Sequence, residues 1–391
     1  MQRLSQTPLE QFTVGCLVAR DHCDTDRLRE LYESISDDEL VFDFARKNRA
    51  TSTIGSRLVQ LYGADAVTTQ WHDAIADVGS TIQEYMDETD RVATLLATEG
   101  ISLIALKNSG ITRGLYRYPA ESPMGDVDVL VSRGRIRDAH KLLTEDGYRL
   151  GLQSTASGQD GELEAMLAEG GTEYGKELPS GKNLWFEVQW RPVSGRWIQP
   201  DQEPDGDELI ARSVAIEGSD IRLLAPLDNL IQVCLHTAKH TYVRAPGLRL
   251  HTDVDRIVRY NKIDWTAFTM KARELHVTTA VYFSLAIPEA LMGTPIPEAV
   301  LTALRPPHWK REFMANSLRR AGLFDADAPK FNRAEYILFV AMLYESIEEL
   351  GRGMLPSYEQ MADRYQITSK AQLPGAWGRR LVDLTWRRGK T

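Results

Sequence analysis

The residues best suited to chemistry are two aspartates separated by one residue, Asp126-Val127-Asp128, in the apolar segment DVDVLV. In a β-strand these two carboxylates leave the same face, with their α-carbons about 7 Å apart. Two unpaired carboxylates at this spacing repel each other, and each pKa rises. A divalent cation between them removes the repulsion, and Mg²⁺ is often held by one or two carboxylates together with substrate phosphates. The pattern therefore predicts a metal site, although a lone pair of this kind is more often a solvated strand face.

A third carboxylate, Glu187, lies at the centre of a later apolar segment, LWFEVQW. Strand alternation places Glu187 on the face of Trp185 and Gln189, and Phe186 and Val188 on the other face. If this strand lies beside DVDVLV, three carboxylates converge. Such a site can hold two metal ions, activate an attacking hydroxyl and stabilise a leaving pyrophosphate. By itself, Glu187 is more typical of a surface carboxylate.

A break follows the apolar run ISLIAL, at Lys107-Asn108-Ser109-Gly110. A helix that begins near Ser109 would present free backbone N–H groups and a positive dipole end to an anion. Ser109 can donate a hydrogen bond, Gly110 permits close approach of the backbone, and Lys107 offers a cation for phosphate. The alternative is an ordinary turn between a strand and a helix.

The elements that must position these residues follow from hydropathy patterns. ISLIAL, DVDVLV and LWFEVQW predict strands, and ITRGLYRY and RGRIRDAHKLLTEDGY predict helices. Residues 151–183 are rich in Gly, Ser and Glu and predict a long excursion with a helical patch at GELEAMLAE. A polar linker is expected over 199–220. We expect further helices at Pro226–His240, His251–Tyr260, Trp265–His276, Thr278–Met292 and Glu335–Leu350.

These elements predict an α/β fold, in which a small mixed β-sheet is flanked by helices and the chain is helical at both ends. The length of 391 residues agrees with two or three domains. We place the boundaries at 1–97 for an N-terminal helical region, 98–222 for the core with the sheet, and 223–391 for a C-terminal helical domain.

Composition narrows the function classes. No apolar run approaches the roughly 20 residues of a membrane span, and the first residues lack the apolar stretch of a secretory signal. The 3 cysteines are too few for a disulfide framework, so a reducing cytoplasm is expected. A net charge of −9 argues against a general nucleic-acid binder, but it leaves room for a local basic groove.

Two further groups of residues have alternative interpretations. His236 and His240 share a helix face and would form a metal site only with another ligand, such as Asp253 or Asp255. Ordinary interior packing is another alternative for the two histidines, and the family resemblance described below implies a third. Three tryptophans surround the third predicted strand: Trp185, Trp190 and Trp197. Core filling is the default for them, and a stacking platform is the alternative.

The order of these segments resembles the polymerase-β-type nucleotidyltransferase superfamily, and more narrowly a family of uncharacterised nucleotidyltransferases. The resemblance is strongest over residues 101–265. Its motifs stand here as Leu106-Lys107-Asn108, Tyr118-Pro119, Asp126 to Val131, Gly147-Tyr148, Glu187-Val188-Gln189-Trp190 and His236-Thr237-Ala238-Lys239-His240. Asn108 replaces the family's usual glycine, Gln189 replaces its histidine, and no arginine stands shortly before Asp126.

The resemblance implies transfer of a nucleoside monophosphate from an NTP to an acceptor hydroxyl, with Mg²⁺ or Mn²⁺ as cofactor. Asp126, Asp128 and Glu187 would be the metal ligands and catalytic carboxylates. Lys107, Asn108, Ser109 and Gly110 would bind the nucleotide, and Gln189, His236, Lys239 and His240 would line the acceptor pocket. The acceptor remains open between a small molecule, a peptide and a protein. The alternatives are a catalytically silent member that binds a nucleotide or a partner, and a toxin-like enzyme that modifies tRNA.

Overall fold

Five helices precede the first strand in the computed structural model, which describes residues 7–151, 170–193, 198–240, 247–324, 331–365 and 367–382. Polar caps start several of them: Thr7 forms a capping box with Glu10, and Asp24 and Asp37 accept hydrogen bonds from backbone N–H groups of the following turn. The helices are α1 (Pro8–Leu17), α2 (Thr25–Ile35), α3 (Asp38–Lys47), α4 (Thr51–Tyr62) and α5 (Thr69–Ala97). The helical N-terminal region is confirmed over residues 7–97.

The centre of the chain forms a seven-stranded mixed sheet in the order β3-β4-β5-β2-β1-β7-β6. Its strands are β1 (Leu103–Ala105), β2 (Val127–Leu130), β3 (Arg149–Leu150), β4 (Gly171–Glu177), β5 (Asn183–Gln189), β6 (Val214–Ala215) and β7 (Ile221–Leu223). The central strand β2 is parallel to β5 and antiparallel to β1. The described residues of this part also form the helices α6 (Lys107–Leu115), α7 (Ile136–Glu145) and α8 (Gly206–Arg212). The prediction of an α/β fold with a mixed sheet is confirmed.

In the centre of the chain, three local predictions were wrong. The expected excursion contains β4, which pairs with β5 along its whole length because Thr172 and Tyr174 are buried on one face. The expected polar linker contains α8 and β6. Helix α6 begins at Lys107, two residues before the start expected near Ser109. The helical patch expected over residues 161–169 lies outside the described residues.

The two faces of the sheet are covered differently. On one face, α5 and α7 pack against the strands, so that side chains such as Ile82, Val129, Leu143 and Phe186 form one apolar core. On the opposite face, Leu130 belongs to a much smaller cluster with residues of β1 and α8. Asp126 and Asp128 alternate with the buried valines of β2 and therefore lie on this less covered face.

The remaining described residues are helical. The helices are α9 (Pro226–His240), α10 (Gly247–Tyr260), α11 (Trp265–Glu274), α12 (Thr278–Met292), α13 (Glu298–Ala303), α14 (His308–Ala321), α15 (Arg333–Ala341), α16 (Ile347–Met354), α17 (Tyr358–Tyr365) and α18 (Leu373–Val382). The single helix expected over Glu335–Leu350 was wrong, because the Ser346 side chain caps a new helix at Ile347. Within the described ranges, no helix is long and apolar enough to cross a membrane.

The C-terminal helices pack against the sheet-containing centre of the chain and against the N-terminal helices. Their core includes Ile111 of α6. Leu248 of α10 and Met292 of α12 pack into the core that α1–α4 form. Helices α9 and α10 therefore lie beside α6, next to the acidic face of the sheet. The domain boundaries at 97 and 222 remain predictions.

Candidate active site

Three carboxylates meet where β2 and β5 lie side by side. Asp128 is the register partner of Glu187, and Asp126 immediately precedes β2 on the same face. One carboxylate oxygen from each residue lies within 4.8 Å of the other two. Asp128 is buried, Glu187 is partly buried and Asp126 is exposed, so the cluster opens to solvent at Asp126. The oxygen-only donor set suits a hard divalent cation.

In the described part of the chain, no other group of three acidic, histidine or cysteine side chains is arranged to hold a metal ion. The metal interpretation of His236 and His240 therefore has no support there. The two candidate ligands from α10 have other partners. Asp253 accepts a hydrogen bond from Tyr116, and Asp255 accepts one from Thr294.

Gln189 lies beside the acids and is 1% exposed. Its Nε2 donates to Asp128 Oδ1 at 2.8 Å. Its Oε1 is buried and has no hydrogen-bond partner among the described residues. Because a buried acceptor is costly to leave unpaired, this neutral oxygen suits a bound cation or a bound N–H or O–H group.

Lys107 is the first residue of α6 and the cation nearest to the acids. Its Nζ forms a close ion pair with Asp128 Oδ1 and lies 3.7 Å from Glu187 Oε2. Its backbone has a φ of +50°, a left-handed conformation that is uncommon for a residue with a side chain. Such strained residues cluster at functional sites, and here the conformation joins the end of β1 to the start of α6.

Burial and neighbouring charges together set the pKa values of Asp128, Glu187 and Lys107. Burial raises the pKa of Asp128, and the carboxylates of Glu187 and Asp126 raise it further against the effect of Lys107. Burial also raises the pKa of Glu187, but the Lys107 ammonium and a hydrogen bond with Asp128 outweigh burial and hold that pKa at about 2. Burial lowers the pKa of Lys107, but Asp128 and Glu187 outweigh burial and raise it above its ordinary value. Lys107 is therefore charged at neutral pH.

The first turn of α6 is fixed tightly against the sheet. The Ser109 hydroxyl lies 2.6 Å from the carbonyl oxygens of Leu106 and Asp128, to which it donates. At Gly110, an added Cβ would lie 2.6 Å from the carbonyl oxygen of Ala105, so only glycine fits this approach. The hydroxyl of Ser109 is thus engaged by backbone carbonyls. The N–H groups of Lys107, Asn108 and Ser109 precede the first backbone hydrogen bond of the helix, which runs from the Gly110 N–H to the Leu106 carbonyl at 3.3 Å.

Asn108 connects this turn to α10. With the amide oriented to suit both neighbours, its nitrogen donates to Asp253 Oδ2 and its oxygen accepts from Arg249 Nη2, each at 3.0 Å. Tyr116 also donates to Asp253, at 3.1 Å. Arg249 therefore brings a guanidinium to the start of α6, although no arginine stands shortly before Asp126 in the sequence. Sequence reasoning missed Arg249, since nothing in the sequence pairs α10 with α6.

The residues predicted from the end of α9 face the same region. Lys239 Nζ donates to the Val193 carbonyl at 3.3 Å. Burial, followed by the charge of Lys107, lowers the pKa of Lys239 to about 8. The rings of His236 and His240 meet edge to face at 4.7 Å. Burial, and then His240 and Lys107, lower the pKa of His236, which is neutral at pH 7.

A fourth carboxylate extends the acidic group across the sheet. Glu173 of β4 is the register partner of Glu187. Burial raises the pKa of Glu173, and the charges of Glu187 and Asp126 raise it further. Sequence reasoning missed Glu173 because it lies in the segment that we expected to be an excursion. The alternation TEYGKE was the available signal.

The two described tryptophans around β5, Trp185 and Trp190, do not form one platform, because Trp185 is exposed and Trp190 packs against the core. Trp185 is 51% exposed, so core filling was wrong for this residue. Trp190 is partly buried, and the guanidinium of Arg133 lies 4.4 Å from its ring centroid. Trp197 lies outside the described residues.

Comparison with known proteins identifies the family of this chain. A family model described as "Uncharacterised nucleotidyltransferase" matches residues 34–293. That range includes every residue of the acidic group, the α6 turn and the end of α9. No curated protein and no solved structure matches the chain.

Proposed function

We propose that this chain, which belongs to the uncharacterised nucleotidyltransferase family, transfers a nucleoside monophosphate from an NTP to an acceptor hydroxyl at the Asp126, Asp128 and Glu187 site. The observation that carries the proposal is the convergence of these three carboxylates within 4.8 Å at the less covered face of the sheet. The proposal goes beyond the family assignment in naming the site, the metal and the acceptor group.

The donor set fits Mg²⁺ or Mn²⁺, since it consists of carboxylate oxygens with the unpaired amide oxygen of Gln189 beside them. A divalent ion bound there would neutralise phosphate charge and lower the pKa of a bound hydroxyl. Asp126, Asp128 and Glu187 are the residues that would hold it.

In the proposed reaction, the acceptor oxygen forms a bond to the α-phosphorus as the bond from the α-phosphorus to the bridging oxygen breaks. Pyrophosphate leaves with the electron pair of the broken bond. The hydroxyl proton leaves to solvent, and the Glu187 carboxylate assists by accepting a hydrogen bond from the hydroxyl. Glu187 remains ionised at neutral pH because its pKa is about 2, so it can orient the hydroxyl before reaction.

The side of the site that faces α6, α9 and α10 suits the β- and γ-phosphates. Lys107 and Lys239 supply ammonium groups, Arg249 supplies a guanidinium, and the first turn of α6 supplies backbone N–H groups. We propose that these groups position the triphosphate, so that catalysis consists mainly of alignment and charge neutralisation.

The test is the substitution Asp126→Asn, because Asp126 is exposed and can lose its charge without disturbing the core. Transfer would be followed with an NTP labelled at the α-phosphate, in a broad acceptor mixture, together with pyrophosphate release. Asp73→Asn is the matched control, since Asp73 is also exposed and has no ion pair or hydrogen bond with its side chain among the described residues. We expect loss of transfer only in Asp126→Asn. Equal activity in Asp126→Asn and the wild type would refute the proposal.

A further inference from the structure

The acidic row continues onto an open surface formed by β4 and β5. Along both strands the even-numbered residues are buried except for Lys176, which is partly buried, whereas Glu173, Gly175, Glu177, Trp185 and Glu187 on the odd-numbered face are partly or fully exposed. We call these five residues the β4–β5 surface. It begins at Glu187, the proposed metal ligand, and extends away from α6.

The β4–β5 surface combines negative charge with an exposed aromatic ring. Glu173 is partly buried, and its side chain has no hydrogen bond or ion pair with any other described residue. Trp185 is half exposed, and its ring reaches over Gly175, where an added Cβ would lie 3.7 Å from the indole. Carboxylates beside an indole suit an organic cation, which a carboxylate attracts and an aromatic face binds through cation–π contact.

Gln189 is an independent sign that a ligand belongs here. It is 1% exposed, lies on the same face of β5 as Glu187, and its Oε1 has no partner among the described residues. Its Nε2 contacts Asp128, which places the amide inside the site. An acceptor oxygen left unpaired in this way suits an N–H or O–H group of a bound molecule.

Charge is separated across the site. The cations Lys107, Lys239 and Arg249 lie on α6, α9 and α10, whereas Glu173 and Glu177 lie on the far side of Glu187. An anionic triphosphate suits the first side and is repelled by the second. The other substrate must therefore approach over the carboxylates.

We propose that the β4–β5 surface binds the acceptor and selects acceptors that carry an ammonium or guanidinium group near the reacting hydroxyl. This inference rests on the proposed function, because an acceptor substrate exists only if the chain transfers a group. The cation preference of the surface can nevertheless be measured without the reaction. Glu173 is the residue that gives this preference, and Trp185 is the ring on which the acceptor packs.

The test uses three probes that share a phenol ring and differ in charge: tyramine, N-acetyltyramine and 4-hydroxyphenylacetate. Dissociation constants would be measured by ligand-observed NMR titration of the full chain, without metal or NTP. We expect tyramine to bind about fivefold more tightly than N-acetyltyramine, and 4-hydroxyphenylacetate to bind most weakly. Glu173→Gln should remove the difference between tyramine and N-acetyltyramine. Trp185→Ala should weaken both.

The control is Glu145→Gln, an exposed carboxylate on α7 that should leave all three affinities unchanged. Glu173→Gln relieves repulsion with Glu187, so the variant should fold. Equal binding of tyramine and N-acetyltyramine by the wild type would overturn the inference, as would an unchanged preference in Glu173→Gln or no binding of tyramine. Nucleotide binding is measured separately, so its absence would refute the proposed function while leaving the measured cation preference intact.

Discussion

The ammonium of Lys107 and the carboxylate of Asp128 form a buried ion pair that joins the two halves of the candidate site. Their side chains are 7% and 6% exposed. Lys107 starts the helix proposed to face the phosphates, and Asp128 lies at the centre of the acidic group. Because Lys107 both contacts Asp128 and starts the helix at the proposed phosphate site, a change at Lys107 or Asp128 should affect both stability and nucleotide binding.

Asp128→Asn should destabilise the protein, whereas Asp126→Asn should not. Asp128→Asn leaves the Lys107 ammonium buried with only the more distant Glu187, and removing one partner of a buried pair costs roughly 3 kcal/mol. Asp126 is exposed, so Asp126→Asn should change the free energy of unfolding by less than about 0.5 kcal/mol. Urea unfolding of both variants measures this difference. Equal stabilities would contradict the importance of the buried pair.

Nucleotide affinity should depend on the charge of Lys239. The pKa of Lys239 is lowered to about 8, so its side chain is charged at pH 7 and loses its proton as the pH rises through 8. NTP binding should therefore weaken between pH 7 and pH 9. Lys239→Arg keeps a charge over this range and should bind with much less pH dependence. A profile that falls equally in both proteins would assign the titration to another group.

Asp253 should make the protein less stable as the pH rises from 4 to 6. Burial raises the pKa of Asp253 from 3.8 to about 6, against the effects of Arg249 and Arg256. In this range the unfolded chain releases its proton before the folded chain does, so rising pH favours unfolding, by at most roughly 3 kcal/mol. Asp253→Asn lacks this titration. Its free energy of unfolding relative to the wild type should therefore increase from pH 4 to pH 7, and a constant difference would show that Asp253 does not titrate there.

Ser109 should prove more important for stability than for nucleotide affinity. Its buried hydroxyl donates to backbone carbonyls, so Ser109→Ala should reduce the free energy of unfolding by about 1–2 kcal/mol. The phosphates are proposed to contact the backbone N–H groups of α6 instead, which the substitution retains. We expect the NTP dissociation constant to change by less than about twofold. A large loss of affinity with unchanged stability would show that the hydroxyl contacts phosphate.

Local periodicity, with one assumption about strand pairing, predicted that the three acidic residues lie together. Alternation placed Asp126 and Asp128 on one strand face and Glu187 on one face of a later strand, and pairing of β2 with β5 was the single assumption needed. Strand β4 was missed because its glycines and charges hide the buried Thr172 and Tyr174.

Contacts set by tertiary packing had no such signal. The hydrogen bond between Arg249 and Asn108 depends on how α10 packs against α6. The ion pair of Lys107 with Asp128 depends on the register of β1 and β2, in which Leu106 N–H donates to the Asp128 carbonyl at 2.9 Å. The sequence therefore predicted the types of residue at the site, and the structure supplied their partners.

The most direct test of nucleotide use at the acidic site is thermal melting with each of the four NTPs, with and without Mg²⁺. The proteins compared are the wild type, Asp126→Asn and Asp73→Asn. A ligand at 100 times its dissociation constant adds about 2.7 kcal/mol to stability. We predict an increase in Tm that requires Mg²⁺ with at least one NTP, that is kept in Asp73→Asn and that is lost in Asp126→Asn. No increase with any NTP, or an equal increase in Asp126→Asn, would contradict the proposed function.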